Sequence, residues 1–307
     1  MAERFATIDV GTNTVLLLVA ERGPDGAFRA VEERMELTRL GRGVDETRRL
    51  APEAIDETVR AVDAFAAVAR DAGAGHLVIT ATSAARDAAN GGEFFDRASR
   101  AAGAPVEVIS GGAEAQAAYE SARRDFGAAG EPLVVLDIGG GSTELTYGEA
   151  GEVAFQRSFD VGAVRLTERW LRADPPSPAE VASLRSDLAA TLRDAPRPPD
   201  GARLVGIAGT VTTLCALSLG LESYDGSLVH GRRLAAAEVR ALARRLAAMP
   251  LAERRRVPGL PPKRADVIVA GAEILGAVME VLGFDELTVS DRGVRWGILY
   301  QRFGATP

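Results

Sequence analysis

One short pattern occurs twice in this chain. Thr7-Ile8-Asp9-Val10-Gly11-Thr12-Asn13-Thr14 and Leu136-Asp137-Ile138-Gly139-Gly140-Gly141-Ser142-Thr143 share the same order of parts. Each puts an aspartate at the end of an apolar strand, then x-Gly, then small hydroxyl-rich residues, then a second strand. A repeat on this scale predicts two similarly built halves. The chain has 307 residues and is 47% hydrophobic, enough apolar material for two cores and too much for a disordered chain.

The rest of the pattern alternates strand and helix, which predicts an α/β architecture. Strands are expected at Phe5 to Val10, Thr14 to Ala20 and Phe28 to Leu40, and helix at Pro52 to Ala72, where Ile55, Val59, Val62, Phe65, Ala66 and Ala69 share one face. His76 to Thr80 reads as a strand, helices follow from about Ala84 and from Gly92 to Ala102, Val106 to Ile109 is a strand, and Glu114 to Arg124 a helix. Gly127 to Pro132 is a glycine-rich break and the expected boundary between halves. It divides the chain into residues 1–127, joined by a terminal helix at about 293–307, and residues 128–292. Beyond the break, strands are expected at Leu133 to Asp137, Thr143 to Tyr147, Ala154 to Asp160, Arg203 to Ile207 and Glu286 to Val289. Ala265 to Leu282 reads as a long apolar helix, more suited to a core than to a homodimer face.

Composition excludes several classes. A single cysteine, Cys215, cannot form an internal disulfide, and two histidines leave little for a zinc site. A net charge of −7 disfavours nucleic acid as a partner, though a local groove on an acidic protein can still bind an anion. No targeting segment or membrane span is visible, so a soluble cytoplasmic protein is expected. Lys263 is the only lysine. The basic group Arg254-Arg255-Arg256 with Lys263 and Arg264 reads as a solvated loop or as a track for a polyanion.

The two Asp-x-Gly turns carry the chemistry. Glycines let backbone N–H groups line a concavity suited to phosphate, and Thr12, Asn13, Thr14, Ser142 and Thr143 add donors. The bland reading is a pair of ordinary hairpins, where glycine and aspartate are common anyway. Carboxylates beside a phosphate call for a cation, so Asp9, Asp137 and Glu144 suggest Mg²⁺. Glu114 stands in the first turn of a helix opened by Ser110-Gly111-Gly112. It reads either as an acid favoured by the helix dipole or as a general base for water. Arg86, in Thr82-Ser83-Ala84-Ala85-Arg86-Asp87, could fork onto a phosphoryl group or simply pair with Asp87. Gly209-Thr210 follows a strand and suits a phosphate or ribose. His76 and His230 read as structural.

Together these residues resemble the exopolyphosphatase / guanosine pentaphosphate phosphohydrolase (Ppx/GppA) family over nearly the whole chain. The match is carried by Asp9 to Thr14, Thr82 to Asn90, Ser110-Gly111 with Glu114-Ala115, and Asp137 to Glu144. Gly209-Thr210, Tyr224-Asp225, His230-Gly231, Arg264 to Ile268 and Ser290 to Gly293 extend it. The resemblance implies two ribonuclease-H-like domains of the actin-like ATPase / sugar kinase superfamily with a cleft between them. It also implies Mg²⁺-dependent release of terminal phosphate from inorganic polyphosphate, or from guanosine pentaphosphate. It assigns Glu114 as catalytic base, Asp137 and Glu144 to metal and water, and Arg86, Asn13 and Gly139 to Ser142 to the phosphate. Two departures stand out. The family often has two successive glutamates where this chain has Ala113-Glu114. Longer members carry a C-terminal helical domain, whereas this sequence stops at Pro307. A polyphosphate or alarmone binding protein without turnover is the alternative of another class.

Overall fold

The computed structural model describes residues 3–127 and 131–304. Residues 128–130 of the expected break at Gly127 to Pro132, and the end at Pro307, therefore lie outside the described residues. The elements run β1 (Arg4–Val10), β2 (Val15–Arg22), β3 (Phe28–Glu36), α1 (Val44–Thr47), α2 (Pro52–Asp71), β4 (His76–Ala81), α3 (Ser83–Asp87), α4 (Gly91–Ala102), β5 (Val106–Val108) and α5 (Gly111–Phe126). There follow β6 (Leu133–Ile138), β7 (Thr143–Glu149), β8 (Glu152–Phe159), α6 (Ala163–Trp170), α7 (Pro178–Leu192), β9 (Arg203–Ile207), α8 (Ala208–Ser218) and α9 (Gly226–Val229). The last are β10 (Arg233–Ala235), α10 (Ala236–Ala247), α11 (Leu251–Arg254), α12 (Ile268–Leu282), β11 (Glu286–Val289) and α13 (Val294–Phe303). Helices α1, α6, α9, α10 and α11 and strand β10 add to the elements expected from the sequence. β3 ends at Glu36, short of the expected Leu40, because Thr38 and Leu40 turn inward and Arg39 takes a left-handed backbone (φ 54°).

The chain divides into two compact units, Met1–Ser121 with Val294–Pro307, and Ala122–Gly293. Unit 1 holds a five-stranded sheet in the order β3-β2-β1-β4-β5. Side chains alternate across a strand, and β1 shows the consequence. Ala6, Ile8 and Val10 enter a core with Ile55, Val62 and Phe94 of α2 and α4. Phe5 turns to the other face, against Trp296 and Leu299 of α13. Thr7 and Asp9 share that second face: the Thr7 hydroxyl donates to the Arg295 carbonyl at 3.0 Å. Gly297 lets α13 press on α5, since a Cβ there would lie 1.8 Å from the Ala117 carbonyl oxygen.

Unit 2 holds a six-stranded sheet in the order β10-β11-β9-β6-β7-β8. Its strands β8-β7-β6-β9-β11 retrace β3-β2-β1-β4-β5, with the same antiparallel and parallel pairings. Val134, Leu136 and Ile138 enter a core built with α7, α8, α10 and α12. Helix α12 is buried along most of its length, so the apolar segment is core. Among the described residues no helix is long and apolar enough to cross a membrane.

Candidate functional site

In each unit the hairpin turn lies at the carboxyl end of a strand that has a parallel neighbour, the edge where open α/β sheets bind ligands. In unit 2 the turn Gly139–Ser142 closes on itself, with Gly139 N–H donating to the Ser142 carbonyl at 2.9 Å. Its other carbonyls are taken by the start of α6. Ala163 N–H donates to Gly139 (3.0 Å), and the N–H groups of Val164 and Arg165 donate to Gly140 (2.9 and 3.1 Å). The Arg165 Nε–H donates to the Gly141 carbonyl at 2.7 Å. A trans peptide is planar and points its C=O and following N–H in opposite directions. Carbonyls turned to α6 therefore turn the N–H groups of Gly140, Gly141 and Ser142 away from it. Gly162 is the contact that allows this: a Cβ there would stand 2.4 Å from the Gly140 oxygen.

Unit 1 builds the same turn from different residues. Gly11 N–H donates to Thr14 at 2.9 Å, Gly41 N–H donates to Thr12 at 2.8 Å, and the N–H groups of Thr38 and Arg39 donate to Asn13 at 3.2 and 3.1 Å. The Asn13 and Thr14 N–H groups are turned outward by the same planar geometry. The Thr12 hydroxyl bonds Ser83 Oγ at 2.9 Å, which joins the turn to the start of α3. Gly41 lies flat on Thr12, with 2.3 Å between a built Cβ and Thr12 Cγ2.

The strands flanking the turns hold the carboxylates. Asp137 and Glu144 are direct register partners across β6 and β7, which puts both on one face. They are 6% and 2% exposed. Ser158, opposite Glu144 on β8, donates its hydroxyl to Glu144 Oε1 at 2.6 Å. In unit 1 Asp9 has the place of Asp137, but its partner across β2 is Leu16. Asp9 is buried, its Oδ1 makes no hydrogen bond among the described residues, and burial raises its carboxyl pKa to about 6 against the opposing pull of Arg295.

The remaining predicted residues are placed as follows. Glu114 is half-buried in the first turn of α5. Ser110 caps that turn, its Oγ accepting the Ala113 N–H at 3.1 Å. Arg86 bonds Asp87 (3.2 Å) and donates Nη1 to the Ile109 carbonyl (3.2 Å), one residue before that cap. The structure thus brings Thr12, Ser83, Arg86 and the entry to Glu114 to one edge of the unit 1 sheet. The Thr143 hydroxyl donates to the Val161 carbonyl at 2.6 Å, which commits its proton within the fold. Gly209 follows Ala208, a non-glycine residue at φ 67°, and is backed so tightly by the Arg264 guanidinium that no Cβ fits. Thr210 is buried and packs on Gly271 of α12. His230 Nδ1 accepts the Asp291 N–H at 3.3 Å and its Nε2 lies 3.9 Å from the Asp125 carboxylate.

The basic group departs from expectation. Arg255, Arg256 and Lys263 are exposed, but Arg254 and Arg264 are buried. Arg254 donates to the Leu246 carbonyl at 3.3 Å and Arg264 to the Thr213 hydroxyl at 3.4 Å. Burial lowers the pKa of both, that of Arg264 to about 10. Neither is part of a solvated track.

Two turns with outward-facing amides thus stand on repeated sheets, each with an acid at its base. The Ppx/GppA phosphatase family profile matches residues 18–305. This chain belongs to that family. It is 40% identical over 310 residues to exopolyphosphatase 2 of Mycobacterium tuberculosis, covering 96% of this chain and 97% of that one. It is 31% identical over 301 residues to the guanosine-5'-triphosphate,3'-diphosphate pyrophosphatase of Vibrio vulnificus, covering 97% of this chain and 59% of that protein. The crystal structure of the Aquifex aeolicus Ppx/GppA family member is 34% identical, with a TM-score of 0.83 over 98% of this chain and 97% of that one. The fold is accordingly the actin-like ATPase fold of Ppx/GppA proteins, an α/β chain with two mixed sheets.

For this Ppx/GppA chain the donor set can be weighed against a cation. Among the described residues no group of three or more His, Cys, Asp or Glu forms a metal cluster. Asp9 belongs to unit 1, and Asp137 and Glu144 to unit 2. Two buried carboxylates on one face are the protein donors that Mg²⁺ uses, the remainder coming from water and phosphate. The pair fits such an ion and is too few for a structural zinc site. Sequence reasoning missed Arg165, Gly162, Gly41 and Ser158. Their signal is indirect: each lies just beyond or within the third strand of its repeat, where the chain returns to the turn.

Proposed function

We propose that this chain is a Mg²⁺-dependent exopolyphosphatase, releasing terminal orthophosphate from inorganic polyphosphate. The observation that carries the reading is the Gly139–Ser142 turn, whose Gly140, Gly141 and Ser142 N–H groups face outward beside the Asp137–Glu144 pair. Such donors, fixed before substrate arrives, stabilise charge on the equatorial oxygens of a phosphoryl group in transfer. The kinship with exopolyphosphatase 2 supports polyphosphate as substrate.

Each residue then has a role in its own unit. Gly140, Gly141 and Ser142 receive phosphate oxygens on their N–H groups. Asp137 and Glu144 would hold Mg²⁺, which when bound neutralises phosphate charge and orients water. In unit 1, Asn13 and Thr14 offer the equivalent N–H donors, with Thr12 bracing the turn through Ser83. Asp9 offers the equivalent carboxylate, and Arg86 a cationic group beside the turn into α5. Glu114 takes the proton from the attacking water. Its place at a helix start favours the ionised form that a base needs. Gly209 and Thr210 form a further strand–helix turn for phosphate.

Hydrolysis of guanosine pentaphosphate at its 5′ terminal phosphate is the second reading, supported by kinship with the Vibrio vulnificus pyrophosphatase. Both substrates end in a phosphoanhydride. The test is phosphate release from polyphosphate of graded length, guanosine pentaphosphate and ATP, with and without Mg²⁺, for the wild-type chain and Glu114→Gln. Faster Mg²⁺-dependent release from polyphosphate is expected, and a loss of at least about 100-fold in the variant. Tight binding without release at any Mg²⁺ concentration would leave a binding protein. Undiminished turnover in the variant would remove Glu114 as base.

A further inference from the structure

The two turns hold equivalent carbonyls by different means. In unit 1 the Asn13 carbonyl accepts two backbone N–H groups, from Thr38 and Arg39. In unit 2 the equivalent carbonyl, Gly141, has one donor among the described residues, the Arg165 side chain at 2.7 Å. Among the described residues, every other donor to a carbonyl of either turn is a backbone N–H, fixed by the course of the chain. This one is a side chain.

The position it holds is free to rotate on its glycine side. The Gly141–Ser142 peptide plane turns about ψ of Gly141 and φ of Ser142, and glycine populates far more backbone conformations than any other residue. A rotation there would swing the Gly141 carbonyl out and the Ser142 N–H in. Arg165 opposes this with a charge-assisted bond, stronger than a neutral one. The side chain is well placed to do so. It is only 12% exposed, and its ion pair with Asp160 spans 3.8 Å to a carboxylate that is 86% exposed, a weak competitor. Its own backbone N–H is spent on Gly140, so Arg165 grips two successive carbonyls of the turn. The approach to α6 is tied down as well, through the Thr143 hydroxyl on Val161.

We propose that Arg165 is a positioning residue: by fixing the Gly141 carbonyl through Nε–H, it keeps the Ser142 N–H aimed outward to bind a phosphate group. This rests on reading the turn as a phosphate cradle, and the experiment separates the two. The amide resonances of Gly140, Gly141 and Ser142 are followed in the ¹⁵N-labelled full chain during titration with inorganic phosphate at saturating Mg²⁺, for wild type and Arg165→Met. In wild type all three amides shift with a single Kd. In Arg165→Met the Ser142 amide loses most of its shift and Kd rises about tenfold, while Gly140, held by backbone donors, still responds. Tm stays within roughly 3 °C of wild type, which separates positioning from folding. An unchanged Kd and Ser142 shift in the variant overturns the role of Arg165 and leaves the cradle standing. A wild-type chain in which none of the three amides responds overturns both. If Arg165→Met fails to fold, Arg165→Lys, which keeps the charge but lacks the planar fork, is read by the same outcomes.

Discussion

Asp137 and Glu144 stand directly opposite each other on adjacent strands, both buried, on the same face of the sheet. Like charges so placed repel, and nothing in hairpin formation requires them, since Asp9 in the other unit faces Leu16. The pair thus stands in one half of the repeat and has no counterpart in the other.

Glu144→Gln tests the pair. The amide keeps an oxygen for the Ser158 hydroxyl and removes one of the two charges. Without Mg²⁺ the variant is expected to be more stable by about 1 kcal/mol in urea unfolding. Phosphate release at saturating Mg²⁺ should fall at least about 100-fold. A less stable but fully active variant would contradict both expectations.

Asp9→Asn makes a pH-dependent prediction. Burial raises the Asp9 pKa from 3.8 to about 6, so the folded state binds this proton more tightly than the unfolded chain. Between those two values wild-type stability falls as pH rises, because folding must then bury a charge. The asparagine variant lacks this slope. At pH 8 it should be more stable than wild type by about 2–3 kcal/mol, and the gap should close towards pH 4. Denaturant unfolding across pH checks the sign. A gap that widens on acidification would show that the charged form is the favoured one.

Gly162→Ala addresses the packing of α6 on the glycine turn. An added Cβ would meet Gly140 and Gly141 backbone atoms at 2.4–2.5 Å, and backbone cannot step aside as a side chain does. The residue has an ordinary extended backbone (φ −141°), so the conflict is steric. A loss of about 1–3 kcal/mol of stability is expected, with a KM for polyphosphate raised about tenfold or more by displaced N–H donors. Steady-state kinetics with urea unfolding would measure both, and unchanged values of each would show that α6 and the turn are not coupled.

How much of this was legible in the sequence differs by residue. The turns were legible because Asp-x-Gly followed by small polar residues is a local signal, set by backbone freedom within a few positions. Asp137 and Glu144 were legible as acids at a turn. Their face-to-face register appears only once β6 and β7 pair. The end of β3 at Glu36 was not legible: Leu37 and Leu40 continue an apolar pattern, but they are buried in a loop that bends back to prop Asn13 and Thr12. Arg254 and Arg264 look solvated in a basic run, yet the fold brings Arg254 against the end of α10 and Arg264 against α8, where both are buried.

The sequence by itself determined the repeated strand–turn–strand units, the elements around them and the identity of the acids, because those follow from periodicity and turn chemistry over short spans. Only the tertiary structure decided which way the turn amides point. That orientation is set by donors about 20 to 30 residues further along the chain, from 38–41 in one unit and 163–165 in the other, which arrive once the third strand has paired and the chain has returned. A peptide plane is steered by whatever binds its carbonyl, and here that partner is distant in sequence.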